Sequence, residues 1–234
     1  MTQRVSIVIP AYNEADTIEA TVRAALSIPE VDEVLVVDDH SGDGTAEAAR
    51  AAGARVFSLP RNSGKGAALN YGIRQAIGEV VVLLDADLGV SAAQARKLVL
   101  PILAGEADVS IARFPRARRK GGFGLVKGLA RNGIRYFTGL EMQSPISGQR
   151  ALRREALEKL VPLAGGYGVE VGMTVDAARF GYRLIEVPVE MTHKETGRDV
   201  RGFLHRGRQF WDIAFTLLKC YVKYYGKNHS RMVR

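Results

Sequence analysis

Apolar and polar positions along the first half of the chain come in blocks. Val5–Ile9 is a near-continuous apolar run that ends at Pro10, the pattern of a strand buried on both faces. Helical spacing follows over Asn13–Ser27, with Ala20, Ala24 and Leu26 inward and Asn13 placed to cap the helix. The alternation then repeats. Strand Glu33–Val37 ends at Asp38 and Asp39, helix Gly44–Ala52 stops at Gly53, and Arg55–Phe57 is a short strand. Helix Gly66–Ile77 leads to strand Val80–Leu84, which ends at Asp85. Strands alternating with helices predict an α/β fold around a mostly parallel sheet with right-handed crossovers. Ligands in such sheets bind beyond the carboxyl ends of the strands, and the polar clusters of this chain stand there.

The second half is less regular. Helices are predicted at Ala92–Ala104, Leu129–Thr138 and Arg154–Leu160, and strands at Val109–Ala112 and Tyr182–Pro188. Residues 113–128, basic and glycine-rich, predict a mobile loop, and so does the basic stretch 194–208. A long amphipathic helix is predicted over Phe203–Tyr225. Arg208, Asp212 and Thr216 recur at every fourth position and Lys219, Lys223 and Lys227 continue the stripe. Phe210, Ala214, Leu217, Leu218, Tyr221 and Tyr225 share another face, suited to the core, a second copy or a membrane surface. No repeat and no Pro- or Ser-rich linker divides the chain. The expected organisation is a catalytic domain over 1–200 and a basic helix and tail over 201–234.

Composition narrows the picture. The 234 residues are 47% hydrophobic and 25% charged, which suits one sizeable core and excludes wholesale disorder. The single cysteine, Cys220, cannot form an internal disulfide and reads as a core thiol in a reducing compartment. No run of about 18 apolar residues suggests a membrane span, and the N-terminal run is too short for a signal peptide. The expected setting is the cytoplasm, with the C-terminal helix open to peripheral contact at the inner face of the cell membrane. Net charge is +8, concentrated in two zones: eight basic and no acidic residues in 113–135, and ten basic against three acidic from Thr192 onward. Such zones attract anions, or simply solubilise a surface.

Four clusters carry candidate chemistry. The most specific is Leu83-Leu84-Asp85-Ala86-Asp87, where an apolar strand runs into two carboxylates one residue apart. Unpaired buried carboxylates are costly, whereas one hard divalent cation with diphosphate oxygens satisfies both. Pro10-Ala11-Tyr12-Asn13-Glu14 follows the first strand and offers backbone amides and a ring for a nucleobase. Val36-Val37-Asp38-Asp39-His40-Ser41-Gly42-Asp43-Gly44-Thr45 places acids where nucleotide folds bind a base or ribose. Asn62-Ser63-Gly64-Lys65-Gly66 sets one lysine between glycines before a helix, a phosphate contact but not a P-loop. A nucleotidyltransferase would carry a glycine-rich signature where PAYNE stands. A nucleic-acid-binding module would not place acids at these strand ends.

In this order and spacing, over residues 4–90, the four motifs resemble the nucleotide-binding half of family 2 glycosyltransferases, nearest to dolichyl- and polyprenyl-phosphate sugar transferases. The resemblance implies a GT-A (Rossmann-like) fold, a UDP- or GDP-sugar donor and Mg²⁺ or Mn²⁺. It implies that Pro10, Ala11, Tyr12 and Glu14 line the nucleotide pocket and that Asp39 faces the base or ribose. Lys65 would approach the diphosphate, and Asp85, Ala86 and Asp87 would hold donor and metal. Residues 121–193, with Ser144-Pro145-Ile146-Ser147-Gly148-Gln149-Arg150, Gly165–Gly172 and His193, resemble glucosyl-3-phosphoglycerate synthases. That likeness implies His193 as a third metal ligand and Glu170 as a carboxylate on the acceptor side. Gln149 stands where an acid is expected. An amide cannot act as a base, but an acceptor that is already a phosphate or carboxylate needs none. Arg198 and Arg206 would form a lid over the leaving diphosphate. The implied reaction is hexosyl transfer to a phosphorylated acceptor, polyprenyl phosphate before a small soluble acid. No nucleic acid is expected as partner; a homo-oligomer is open.

Overall fold

The computed structural model describes residues 3–115, 124–163, 166–192 and 200–226; for Tyr167 and 200–206 it describes the backbone alone. The first half follows the alternation: strands β1 (Val5–Ala11), β2 (Glu33–Asp38), β3 (Arg55–Ser58) and β4 (Val80–Leu83), with helices α1 (Ala15–Leu26), α2 (Thr45–Ala51) and α3 (Lys65–Gln75) between them. A 3-10 segment, Gly89–Ala95, continues into α4 (Arg96–Leu103) and strand β5 (Val109–Arg113). Then come α5 (Leu125–Thr138), β6 (Arg150–Arg153), α6 (Arg154–Leu160), α7 (Val169–Arg179), β7 (Leu184–Pro188) and α8 (Val200–Tyr225). The seven strands form one sheet in the order β3-β2-β1-β4-β6-β5-β7. All pairs are parallel except the two made by β6.

One sheet face packs on α1, α2 and α4 through Ile7, Ile9, Ile18, Val22, Leu98 and Ile102. The other packs on α3, α5, α6, α7 and α8 through Val8, Leu35, Leu69, Ile134, Leu157 and Ile213. Val5–Ile9 and Glu33–Val37 are buried throughout, as runs without polar alternation require.

Several expectations are corrected. α1 turns Ile18, Thr21, Val22 and Ala25 inward, while Ala20 and Leu26 are exposed. The branched pair Ile18 and Val22 removes more apolar area from water than alanines do, so it sets the helix phase. Asn13 does not cap α1. It lies at φ 54°, and its Oδ1 accepts the Gly42 amide at 2.9 Å. The loop expected over 113–128 is cut short because α5 begins at Leu125; residues 116–123 lie outside the described residues. Likewise α8 already occupies 200–208, while 193–199 lie outside. β6 was not expected, since four residues bounded by arginines show no strand pattern; pairing with β4 on one side and β5 on the other makes it a strand. α7 was missed because Val169, Glu170, Val171, Met173, Thr174, Val175 and Ala177 are all buried, which leaves no amphipathic stripe.

The faces expected of α8 are not kept. Thr216 of the expected polar stripe is buried together with Ile213 and Cys220, whereas Leu218 and Tyr221 of the expected apolar face are exposed, because α8 rests on both α5 and α7. Burial raises the Cys220 thiol to about 11, an inert core thiol.

Candidate functional site

The chain leaves β1 for β2 and β3 on one side and returns with β4 on the other. The crevice between the carboxyl ends of β1 and β4 is the switch point where open α/β sheets bind ligands. The two loops after β1 and β2 lock each other. The Asn13 amide donates to Ser41 Oγ at 2.9 Å, the Glu14 amide to Thr45 Oγ1 at 2.8 Å and the Ala15 amide to Asp43 Oδ2 at 3.2 Å. His40, like Asn13, takes positive φ. Two such residues in adjoining, interlocked loops at the carboxyl ends of β1 and β2 indicate a backbone shaped for function rather than for the cheapest turn. Pro10 and Ala11 sit at the end of β1 with Ala11 buried, and Tyr12 beside them is half exposed.

Asp39 is buried and holds the loop before α3: its two oxygens accept the Ser63 and Gly64 amides, each at 2.7 Å. Gly64 then turns at φ 86° into Lys65, the first residue of α3. Asp39 thereby aims Lys65 across the crevice. Lys65 Nζ lies 2.7 Å from Asp85 Oδ1 and 3.2 Å from Glu170 Oε1. Burial would lower the Lys65 pKa, but the Asp85 and Glu170 carboxylates outweigh it, so the ammonium is held above its usual range. Gln149 Nε2 donates to the other Asp85 oxygen at 2.5 Å. Asp85 is thus held from both sides, by a cation and an amide.

Sequence reasoning missed the supports of this centre. Thr21 Oγ1 donates to Ala86 carbonyl at 2.8 Å and accepts the Gly89 amide at 2.8 Å, pinning the Asp85-Ala86-Asp87 turn to α1. Glu186 accepts the Gln143 and Ser144 amides at 2.9 and 2.6 Å, fixing the start of the 144–150 loop. Arg150, fully buried, donates from Nε to Ser147 carbonyl and from a terminal nitrogen to Thr174 Oγ1, both at 2.9 Å. Burial pushes its guanidinium down to about 10, against the pull of Glu170 and Glu186. None of these contacts has a local sequence signal, because each is settled by how separate elements pack.

A Cβ built on Gly148 would lie 2.9 Å from Lys65 Nζ and 3.4 Å from Asp85 Oδ2. Gly148→Ala is therefore expected to push the ammonium off Asp85, lowering kcat on the order of tenfold or more with little loss of fold. Steady-state kinetics with a thermal unfolding curve checks this. A fully active variant would show that the Lys65–Asp85 contact is not needed.

Gly168 matters for packing instead. A Cβ there would overlap Thr216 Oγ1, so glycine lets α8 seat against the start of α7. Val126 of α5, together with Gln209 and Ile213 of α8, closes a cavity of about 210 Å³ over Lys65, Asp85, Gly148 and Glu170. A larger cavity, about 920 Å³, opens from Asp85, Gly148 and Gln149 toward Lys127, Arg131 and Arg135 of α5. Those three cations recur at i, i+4 and i+8 on one helix face. Arg131 Nε donates to Met142 carbonyl at 3.2 Å, and Arg135 pairs with Glu141 at 3.3 Å.

Among the described residues no three His, Cys, Asp or Glu side chains gather as a metal cluster. Asp85 and Asp87 remain a fitting pair, because Mg²⁺ and Mn²⁺ take one or two carboxylates and complete their shell with phosphate oxygens and water. His193 and Arg198 lie outside the described residues, and Arg206 is placed only by the backbone of α8.

A mostly parallel sheet with one antiparallel insertion, helices on both faces and acids at the switch point constitute the GT-A fold. Residues 6–161 match the family model "Glycosyl transferase family 2", and the chain belongs to that family. Glucosyl-3-phosphoglycerate synthase of Mycobacterium tuberculosis is 35% identical over 196 residues, covering 74% of this chain and 60% of that protein. Polyprenol monophosphomannose synthase of Mycolicibacterium smegmatis is 32% identical over 220 residues, covering 84% of this chain and 80% of that protein. The crystal structure of the M. tuberculosis synthase with Mg²⁺ and UDP superposes with a TM-score of 0.78 at 30% identity, covering 93% of this chain and 79% of that one. The chain spans about three fifths of the length of the curated glucosyl-3-phosphoglycerate synthases it matches. Among the described residues no helix is long and apolar enough to cross a membrane.

Proposed function

We propose that this protein transfers a hexose from a UDP- or GDP-sugar to a phosphorylated acceptor, with Mg²⁺ or Mn²⁺ at Asp85 and Asp87. The observation that carries this reading is the 920 Å³ cavity, which joins Asp85 and Gln149 to the cationic row Lys127, Arg131 and Arg135. A charged acceptor would lie along that row with its nucleophilic oxygen delivered to the Asp85 end. Gln149 donates an amide proton and cannot take one, which suits an acceptor oxygen already ionised at neutral pH.

The donor base and ribose would lie on Pro10, Ala11, Tyr12 and Glu14, beside the loop that Asp39 organises. Lys65, already facing two carboxylates, supplies positive charge at the donor's diphosphate. The bound metal would neutralise charge on the leaving nucleoside diphosphate. Glu170 keeps Lys65 in place from the acceptor side. His193 is proposed as the third protein ligand, and Arg198 and Arg206 as the cover over the diphosphate. Polyprenyl phosphate is favoured as acceptor. The M. tuberculosis synthase solved with phosphoglyceric acid supports a second reading, transfer to a small soluble acid.

The test is a donor screen for UDP or GDP release with and without Mn²⁺, followed by NMR of the product. Failure to release either nucleotide from any common donor with either acceptor class would sink the reading. Within it, Arg131→Ala and Arg135→Ala should each raise acceptor KM by about tenfold, the worth of a charge-assisted hydrogen bond to phosphate. Donor hydrolysis should stay unchanged. Unaltered acceptor KM in both variants would move the acceptor to another wall.

A further inference from the structure

The outer face of α8 is apolar. Trp211, Phe215, Leu218 and Val222 recur at i, i+4, i+7 and i+11, a single stripe, and are 72, 59, 56 and 60% exposed among the described residues. The inner face is a different set, Ile213, Thr216 and Cys220, buried against the domain. A helix packed on a domain ordinarily turns polar side chains to water. This one is apolar both inward and outward, and exposed apolar stripes of this kind mark docking surfaces.

The stripe continues beyond α8. The Tyr221 ring lies 5.6 Å from Tyr225, Tyr225 lies 6.1 Å from Tyr136 of α5, and Tyr136 is itself exposed, as is Leu125 of the same helix. Around α5 from these two lie Lys127, Arg131 and Arg135, the cationic wall of the large cavity. On the opposite edge of the stripe stand Arg208 and Lys219, both exposed, with Lys219 Nζ 4.6 Å over the Phe215 ring. An apolar band with tryptophan and tyrosines, edged by cations on both sides, matches the interface of an anionic bilayer. It matches a second copy of the chain less well, since a two-fold contact through this stripe would bring the Arg208 and Lys219 edge close to its own equivalent.

We propose that the outer face of α8, extended by Tyr136 and Leu125, seats the protein on an anionic lipid surface, with the acceptor cavity opening beside the seat. Only the delivery of a lipid-linked acceptor from that surface rests on the function proposed above; the seating itself does not.

Trp211 is the one tryptophan of the chain and reports on this directly. The full chain would be mixed with vesicles of phosphatidylglycerol and phosphatidylcholine, or of phosphatidylcholine alone, at low and high salt. The expected result is a blue shift of Trp211 emission and co-sedimentation with the anionic vesicles only, both reversed by salt. Phe215→Ser with Leu218→Ser should weaken partitioning at least about tenfold, with an unchanged thermal midpoint because both side chains are exposed. Absence of shift and sedimentation at low salt would overturn the proposal. So would a dimer mass in light scattering that the double variant converts to monomer, since a second copy would then cover the stripe. Nucleotide release tests the reaction itself and does not enter either readout.

Discussion

Asp85→Ala and Asp87→Ala are each expected to lower kcat on the order of a hundred- to a thousandfold, the range for losing one group that stabilises transition-state charge. For Asp85 the structure gives the reason in detail. Its carboxylate receives Lys65 on one oxygen and Gln149 on the other, so its removal frees both groups at once. For Asp87 the expected loss lies in the metal. Stabilisation of the protein by UDP should cease to depend on Mn²⁺, while the unfolding midpoint without ligand stays near that of the parent. Asp85 and Asp87 are half-buried at the end of β4 rather than in the core, so neither substitution opens a cavity. Calorimetric titration of Mn²⁺ with UDP, beside turnover, checks both variants. Metal-dependent UDP binding as tight as the parent's in both would refute the proposed centre.

Lys65→Met is expected to lower turnover by a similar factor and, unlike the aspartate variants, to destabilise the fold. It strips the cation from Asp85 and from the buried Glu170, leaving two neighbouring carboxylates without the ammonium that bridges them and Asp85 with the Gln149 amide on its other oxygen. Breaking a fully buried pair costs roughly 3–5 kcal/mol; Lys65 is about a third exposed, so about 1–3 kcal/mol is expected. The pH dependence follows from the direction of the Lys65 shift. Burial would lower its pKa, but the two carboxylates outweigh burial and hold the ammonium above its usual range, so the stabilisation is fully present below the usual lysine value of about 10.4 and is lost as pH rises through the higher folded-state value. The deficit of Lys65→Met against the parent should therefore hold steady up to about pH 10 and narrow only above it. Denaturant titrations across pH would reveal this, and a deficit that does not change with pH would show that Lys65 acts by packing alone.

Much of the donor half was legible in the sequence for a local reason. A strand buried on both faces must be an uninterrupted apolar run, and its end is announced by the first polar residue. Leu83-Leu84-Asp85 and Val36-Val37-Asp38 carry that signal within a few positions, so strand, end and candidate chemistry are read together. The acceptor half carries no such signal. Gln149 and Glu170 could be named as candidates only through resemblance to known families. That they meet around Lys65 and Asp85 follows from pairings across 64 and 105 positions of the chain.

The sequence by itself determined the β-α alternation, the acids at the strand ends and the uneven charge, because each depends on neighbours along the chain. Tertiary structure decided the rest. β6 is a strand because β4 and β5 flank it, although Arg150-Ala-Leu-Arg has little strand character of its own. α7 is a helix without a stripe because protein surrounds most of it. On α8 the periodicity marked Phe210, Ala214, Leu217, Leu218, Tyr221 and Tyr225 as the apolar face, but the helix packs through Ile213, Thr216 and Cys220. Gly168 admits Thr216 and turns Ile213 and Cys220 inward, so Trp211, Phe215, Leu218 and Val222 face outward. Periodicity states that residues share a side of a helix; only the neighbour packed there decides which side is the inside.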